Sequence, residues 1–150
     1  MPSYAIEVPS EYGYVLVVAV SSLLVNTFHG FLTVKARRAS GLHYPIAYAT
    51  EEQAAKDPKA FAFNCAQRAH ANYTENITTF LCALFISGLR FPVPTAALGA
   101  GWVFARVWYA AGYASGGPKG RMRGNYIGII SDSVLKIMAI TASIKMLPSA

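Results

Sequence analysis

The stretch Phe63-Asn64-Cys65-Ala66-Gln67-Arg68-Ala69-His70-Ala71-Asn72-Tyr73-Thr74-Glu75 decides how this chain is read. Arg68, Asn72 and Glu75 stand at i, i+4 and i+7, so a helix puts all three on one face. The same helix turns apolar from Ile77 to Leu89. A polar stripe of both charge signs beside an apolar half-helix is costly in a bilayer unless it lines a cavity or meets a partner. The function is expected at that stripe.

The surrounding composition supports a membrane reading. The 150 residues are 54% hydrophobic and 13% charged, against about 25% charged for an average soluble domain. A spanning helix needs about 20 residues at 1.5 Å rise each. Tyr14–Val34, Pro94–Ser115 and Tyr126–Leu147 reach that length, with His29, Arg106 and the set Asp132, Lys136, Lys145 as their ionisable side chains apart from tyrosines. Ile77–Leu89 is too short alone and spans only if the polar run from Ala66 faces protein, ligand or water. The expected architecture is all-α: one integral-membrane four-helix domain over residues 1–150, with helices at about 14–36, 64–89, 94–115 and 124–147.

Charge placement gives an orientation. Lys35, Arg37, Arg38, Lys56 and Lys59 fall between helices 1 and 2, and Lys119, Arg121 and Arg123 between helices 3 and 4. The excess of cations on that side predicts that both loops face the cytosol. This asymmetry accounts for the net charge of +6 and leaves no basic face for nucleic acid. The first apolar block follows Glu7 and Glu11 rather than a basic segment, so it is expected to stay as helix 1. The sequons at Asn72 and Asn76 fall on the cytosolic side and are expected to stay unmodified.

Helix 3 repeats the polar pattern, with Arg106, Tyr109 and Tyr113 at i, i+3 and i+7. Arg37 and Arg38 end helix 1 at a similar depth, and Arg121 and Arg123 lead into helix 4. Many cations, one carboxylate and several hydroxyls complement a small, mostly anionic molecule that also carries an ammonium. Arginine forks match carboxylates, and Glu75 would take the amine. An intramembrane ion-pair network is the structural alternative for the same stripe. Arg106 is expected to pair with an acid inside the bundle, and Asp132 with Lys136 at i, i+4. His29 reads as a buried, bonded histidine.

No metal, hydrolytic or phosphate-loop pattern is visible. Cys65 and Cys82 are separated by about 25 Å of one helix, cannot pair, and read as two buried thiols.

The Phe63–Glu75 run, with Tyr44-Pro45-Ile46-Ala47-Tyr48, Ala36-Arg37-Arg38 and Ala105-Arg106-Val107-Trp108-Tyr109-Ala110-Ala111-Gly112-Tyr113, resembles the membrane-associated proteins in eicosanoid and glutathione metabolism. The resemblance spans essentially the whole chain. It implies a homotrimer in the lipid bilayer that binds glutathione between subunits near the cytosolic face, with no metal. It implies that Arg68, His70, Asn72 and Glu75 hold the tripeptide, and that Arg37, Tyr109 and Tyr113 add hydrogen bonds. An arginine at the helix 3–4 junction, Arg121 or Arg123, would stabilise the thiolate. The implied activity is glutathione transfer to a lipophilic electrophile, with reduction of lipid hydroperoxides as companion. The implied membrane is the endoplasmic reticulum, with the outer mitochondrial membrane as alternative. His70 stands where the leukotriene-forming members have glutamine, and Asn76 where they have tyrosine, which argues against leukotriene synthesis. The rival readings are a non-catalytic scaffold that presents lipids, and a small ion carrier built on Asp132 and Lys136.

Overall fold

Five helices run through residues 8–147, the part of the chain described by the computed structural model. They are α1 (Tyr12–Ser40), α2 (Glu51–Lys56), α3 (Pro58–Gly88), α4 (Pro92–Gly120) and α5 (Met122–Lys145), and helix is the only regular structure among the described residues. Glu7 of the leading segment and residues 148–150 lie outside the described residues.

Local chemistry sets the boundaries. α1 stops at Gly41, whose φ of 69° suits a left-handed C-terminal cap. α2 opens on a capping box, with Thr50 and Gln53 each accepting from the other's backbone N–H at 3.2 and 3.0 Å. α3 begins at Pro58, ahead of the expected residue 64. The Asp57 carboxylate accepts the Lys59 N–H at 2.8 Å, and proline suits the first helical position. Pro58 therefore starts a helix instead of breaking a loop. Pro92 likewise starts α4.

Near its end α4 is interrupted at Gly117, which takes φ 63° and ψ −155°. The chain then reverses, so that Gly120 lies against Gly112 with backbone touching backbone. α5 runs back along α4 from there. Gly120, Gly124 and Gly128 recur every fourth residue on the facing side. A Cβ on Gly124 would sit 2.5 Å from the Tyr109 nitrogen and 2.6 Å from the Ala105 carbonyl oxygen. Small residues at this spacing let two helices approach closely, which is how helices associate where lipid removes the hydrophobic drive.

α1 packs on α3 and α4, and α3 also meets α4 and α5. The centre is aromatic: Trp102 stacks on Phe80 with ring centroids 3.8 Å apart, and Tyr73 lies 5.7 Å from Trp102. The outside of α1 and α5 is apolar, with Leu16, Val17, Leu23, Leu24, Ile130, Ile137 and Ile140 all at least half exposed.

α1 and α5 are long and apolar enough to cross a membrane. Pro94–Ser115, expected to qualify as well, falls short on composition. Its tryptophans, tyrosines, glycines and Arg106 lower its hydropathy, and Trp102, Arg106, Tyr109 and Tyr113 are buried against neighbouring helices. Cys65 is buried but Cys82 is exposed, because Cys82 falls on the outward side of α3. The expectation of two buried thiols therefore holds for one.

Candidate functional site

The polar stripe of α3 divides between two partners. Arg68 donates through Nη1 to Glu75 Oε1 at 2.9 Å, with both side chains about half exposed. Asn72, between them on the same face, turns toward α4. There Arg106 Nη2 donates to its Oδ1 at 2.6 Å and its carbonyl at 3.2 Å. Arg106 thus meets an amide, not the acid expected for it, and its buried Nε has no hydrogen-bond partner among the described residues. Its guanidinium carbon also lies 4.8 Å from the Tyr109 ring centroid and 5.3 Å from that of Trp102.

Tyr109 joins this cluster to the α4–α5 junction. Its hydroxyl accepts from Arg121 Nη1 at 3.0 Å. Tyr113, one turn on, meets the Tyr109 ring edge-on at 5.7 Å and lies 4.9 Å from the Arg121 guanidinium carbon. Above all its hydrogen bond to Tyr109 raises the Arg121 pKa over the ordinary arginine value, while nearby Arg68 opposes the rise. Arg121 is therefore cationic wherever a thiol titrates. Cys65 is buried beside Tyr109 and Tyr113.

Three expected site residues lie apart from this group. Arg123 is exposed, and no hydrogen bond or ion pair reaches its side chain among the described residues. His70 faces α1, with Nε2 3.3 Å from Asn26 Oδ1 and its ring 6.3 Å from that of His29. Two residues along a helix rotate a side chain by about 200°, so His70 cannot share the Arg68 face. His29 itself is buried, 3.1 Å from the Arg106 carbonyl. Arg37, in the last turn of α1, is buried against the α1–α2 connection, where it donates to the Ile46 carbonyl at 2.7 Å. Its guanidinium lies 4.2 and 4.5 Å from the Tyr44 and Phe63 rings.

The sequence reading also passed over Asn64, which holds the same connection by bonding both the N–H and the C=O of Ala49, at 2.8 and 2.9 Å. An asparagine inside an otherwise apolar helix start was the available signal. Asn125 was missed as well. It lies one turn past Arg121, on the face of α5 that meets α3 and α4. Among the described residues no group of three or more metal-ligating side chains converges.

The arrangement can bind an anion beside a fixed cation and offers hydroxyl and amide partners around it. It carries no paired base and nucleophile of its own. These features belong to a chain that matches a known family model from residue 15 in the first turn of α1 to residue 141 near the end of α5. The chain belongs to the MAPEG family, the membrane-associated proteins in eicosanoid and glutathione metabolism, which includes glutathione transferases.

Proposed function

We propose that this protein is a membrane glutathione transferase that stabilises the glutathione thiolate and directs it at lipophilic electrophiles arriving through the bilayer. Within the family its α3 motif looks like that of microsomal glutathione S-transferase 3. In this reading four helices span the membrane, three subunits assemble, and glutathione lies between neighbours on the cytosolic side.

The observation that carries the reading is the placement of Arg121. Tyr109 and Tyr113 hold its guanidinium beside the α3 stripe, whereas Arg123 is exposed with no side-chain partner among the described residues, which favours Arg121 as the thiolate's counter-ion. A free thiol has a pKa near 8.5, and an adjacent cation lowers it, so thiolate is populated at neutral pH. Arg68 and Glu75 satisfy each other. A carboxylate and an ammonium of glutathione can take the place of each partner.

The same thiolate can reduce a lipid hydroperoxide. It attacks the terminal oxygen, the O–O bond breaks, and the alcohol leaves with a proton. A second glutathione converts the resulting sulfenic acid to disulfide and water.

Ultraviolet difference titration of glutathione into the detergent-solubilised protein tests the proposal. A saturable thiolate band at neutral pH is expected. Binding without the band would favour a lipid-presenting scaffold, and no binding would discard the reading.

A further inference from the structure

An open groove of about 460 Å3 runs between the last turns of α1 and the C-terminal half of α4. Leu32, Lys35, Ala36 and Ala39 form one wall, and Ala111, Ala114 and Ser115 form the other. Lys35 is two residues from Arg37, and Ala111 is two residues from both Tyr109 and Tyr113. Two positions turn a helical side chain by about 200°. The groove therefore faces away from the site described above and shares no residue with it.

Its walls are mostly alanine, so neither helix fills the space between them. Ser115 gives its hydroxyl proton to the Ala111 carbonyl of its own helix at 2.8 Å, which leaves the walls apolar apart from Lys35. Deeper along α4 the surface stays apolar. Phe104, Trp108, Ala111 and Ser115 recur at i, i+4, i+7 and i+11 and share one side of the helix. Phe104 is 60% exposed and Trp108 36%.

Lys35 is the one ionic side chain in these walls. Arg38 stands one turn further along the same side of α1, and both are exposed. The ion pairs among the described residues are Lys56–Glu52, Arg68–Glu75 and Lys136–Asp132. Neither Lys35 nor Arg38 is in one, and no carboxylate lines the groove.

An occupant must therefore lay an apolar chain between the helices and present an anion at their ends. Lys35 lies about 7.5 Å of helix rise before Ser40, the last residue of α1. From there a lysine stem can run along apolar surface and carry its ammonium to the headgroup region. Water-sized groups take roughly 30 Å3 each, so the groove holds about fifteen of them, the size of one acyl chain. A zwitterionic headgroup brings its own cation against Lys35 and Arg38. A net-negative one does not.

We propose that this groove holds one acyl chain of an anionic phospholipid from the leaflet beside the cationic loops, with the lipid phosphate on Lys35 and Arg38. The lipid bridges the ends of α1 and α4 from outside the bundle. The proposal needs these two helices in a bilayer and is independent of the thiolate chemistry above.

The test titrates the full chain in dodecyl maltoside micelles with phosphatidylserine or phosphatidylcholine brominated in the upper half of one acyl chain, and reads tryptophan emission. Bromine quenches at contact, so Trp108 responds and Trp102, 2% exposed, does not; Trp108→Phe is expected to remove the signal. Two cations at a membrane surface favour net-negative lipid about tenfold or more, so saturable quenching is expected at about tenfold lower mole fraction of the serine lipid. Lys35→Gln is expected to lower that preference about fivefold, and Lys59→Gln, the same charge change at the start of α3, less than about twofold. Ala39→Leu, at an exposed position in the groove, is expected to weaken quenching by both lipids with the melting temperature unchanged. Equal quenching by the two lipids, equal losses in the two lysine variants, or unaltered quenching in Ala39→Leu overturns the proposal. So does an absence of quenching, the result expected if a second copy of the chain covers the groove.

Discussion

Arg121 and Arg123 are two residues apart and chemically identical, yet only Arg121 is held, by the hydroxyl of Tyr109 and the ring of Tyr113. Removing one preorganised electrostatic partner of a developing or bound anion costs about a hundredfold or more in rate. Arg121→Ala is therefore expected to lower conjugation kcat/KM at neutral pH about a hundredfold, and Arg123→Ala to change it less than about twofold. The pH profile should move with it. Without the cation the thiol titrates nearer its free value of about 8.5, so less thiolate is present at neutral pH and activity recovers as pH rises. Equal losses in both variants, or an unshifted profile, would remove Arg121 from the role. At this scale the residue types were legible but several partners were not. Arg68, Asn72 and Glu75 were correctly read onto one face, yet which of them turns inward depends on how α3 meets α4. The same holds for Arg106, whose acceptor is an amide of another helix. His70 is different, since the helical angle from Arg68 already argued against placing it in that set.

Among elements, the α4–α5 pair matters most for the site. Gly120, Gly124 and Gly128 bring the start of α5 against Ala105, Tyr109 and Gly112, and this contact carries Arg121 to the Tyr109 hydroxyl. A side chain at Gly124 must displace backbone, and forced overpacking costs about 1–3 kcal/mol. Gly124→Leu is expected to lower the melting temperature in detergent and to weaken the glutathione thiolate band, because Arg121 moves with α5. An unchanged melting temperature and band would mean that the contact is not needed. Gly116-Gly117-Pro118 reads in the sequence as a helix end, and the chain does change direction at Gly117. Helical backbone nevertheless resumes as far as Gly120, since a single glycine with positive φ can reverse the chain with little intervening loop. The start of α3 was harder to see because Asp57-Pro58 fits a loop and an N-terminal cap equally well, and only the helix beyond it decides.

The whole molecule turns apolar side chains outward on α1 and α5 and keeps Arg106, His29 and the α4 tyrosines inside. That distribution suits lipid on the outer faces, and the apolar blocks of α1 and α5 made it legible in the sequence. Assembly is not legible in the same way, since a single chain's pattern does not distinguish a lipid-facing isoleucine from one that meets another subunit. Native mass measurement in mild detergent is expected to give three times the 16.1 kDa chain mass; a monomer that still shows the thiolate band would place the whole glutathione site within one subunit. In the four-span arrangement proposed above, the reversal at Gly117 also governs how the chain enters a bilayer during synthesis. Only Arg121 separates α4 from α5, so the translocon meets them as one hairpin. α4 is too polar to partition well by itself, and the isoleucines of α5 supply the apolar excess. Released chains stopped before Ile127 should leave α4 open to protease, while chains extending past Lys145 should protect both helices. In that arrangement the helix that carries Tyr109 and Tyr113 is committed to the membrane by the helix made after it.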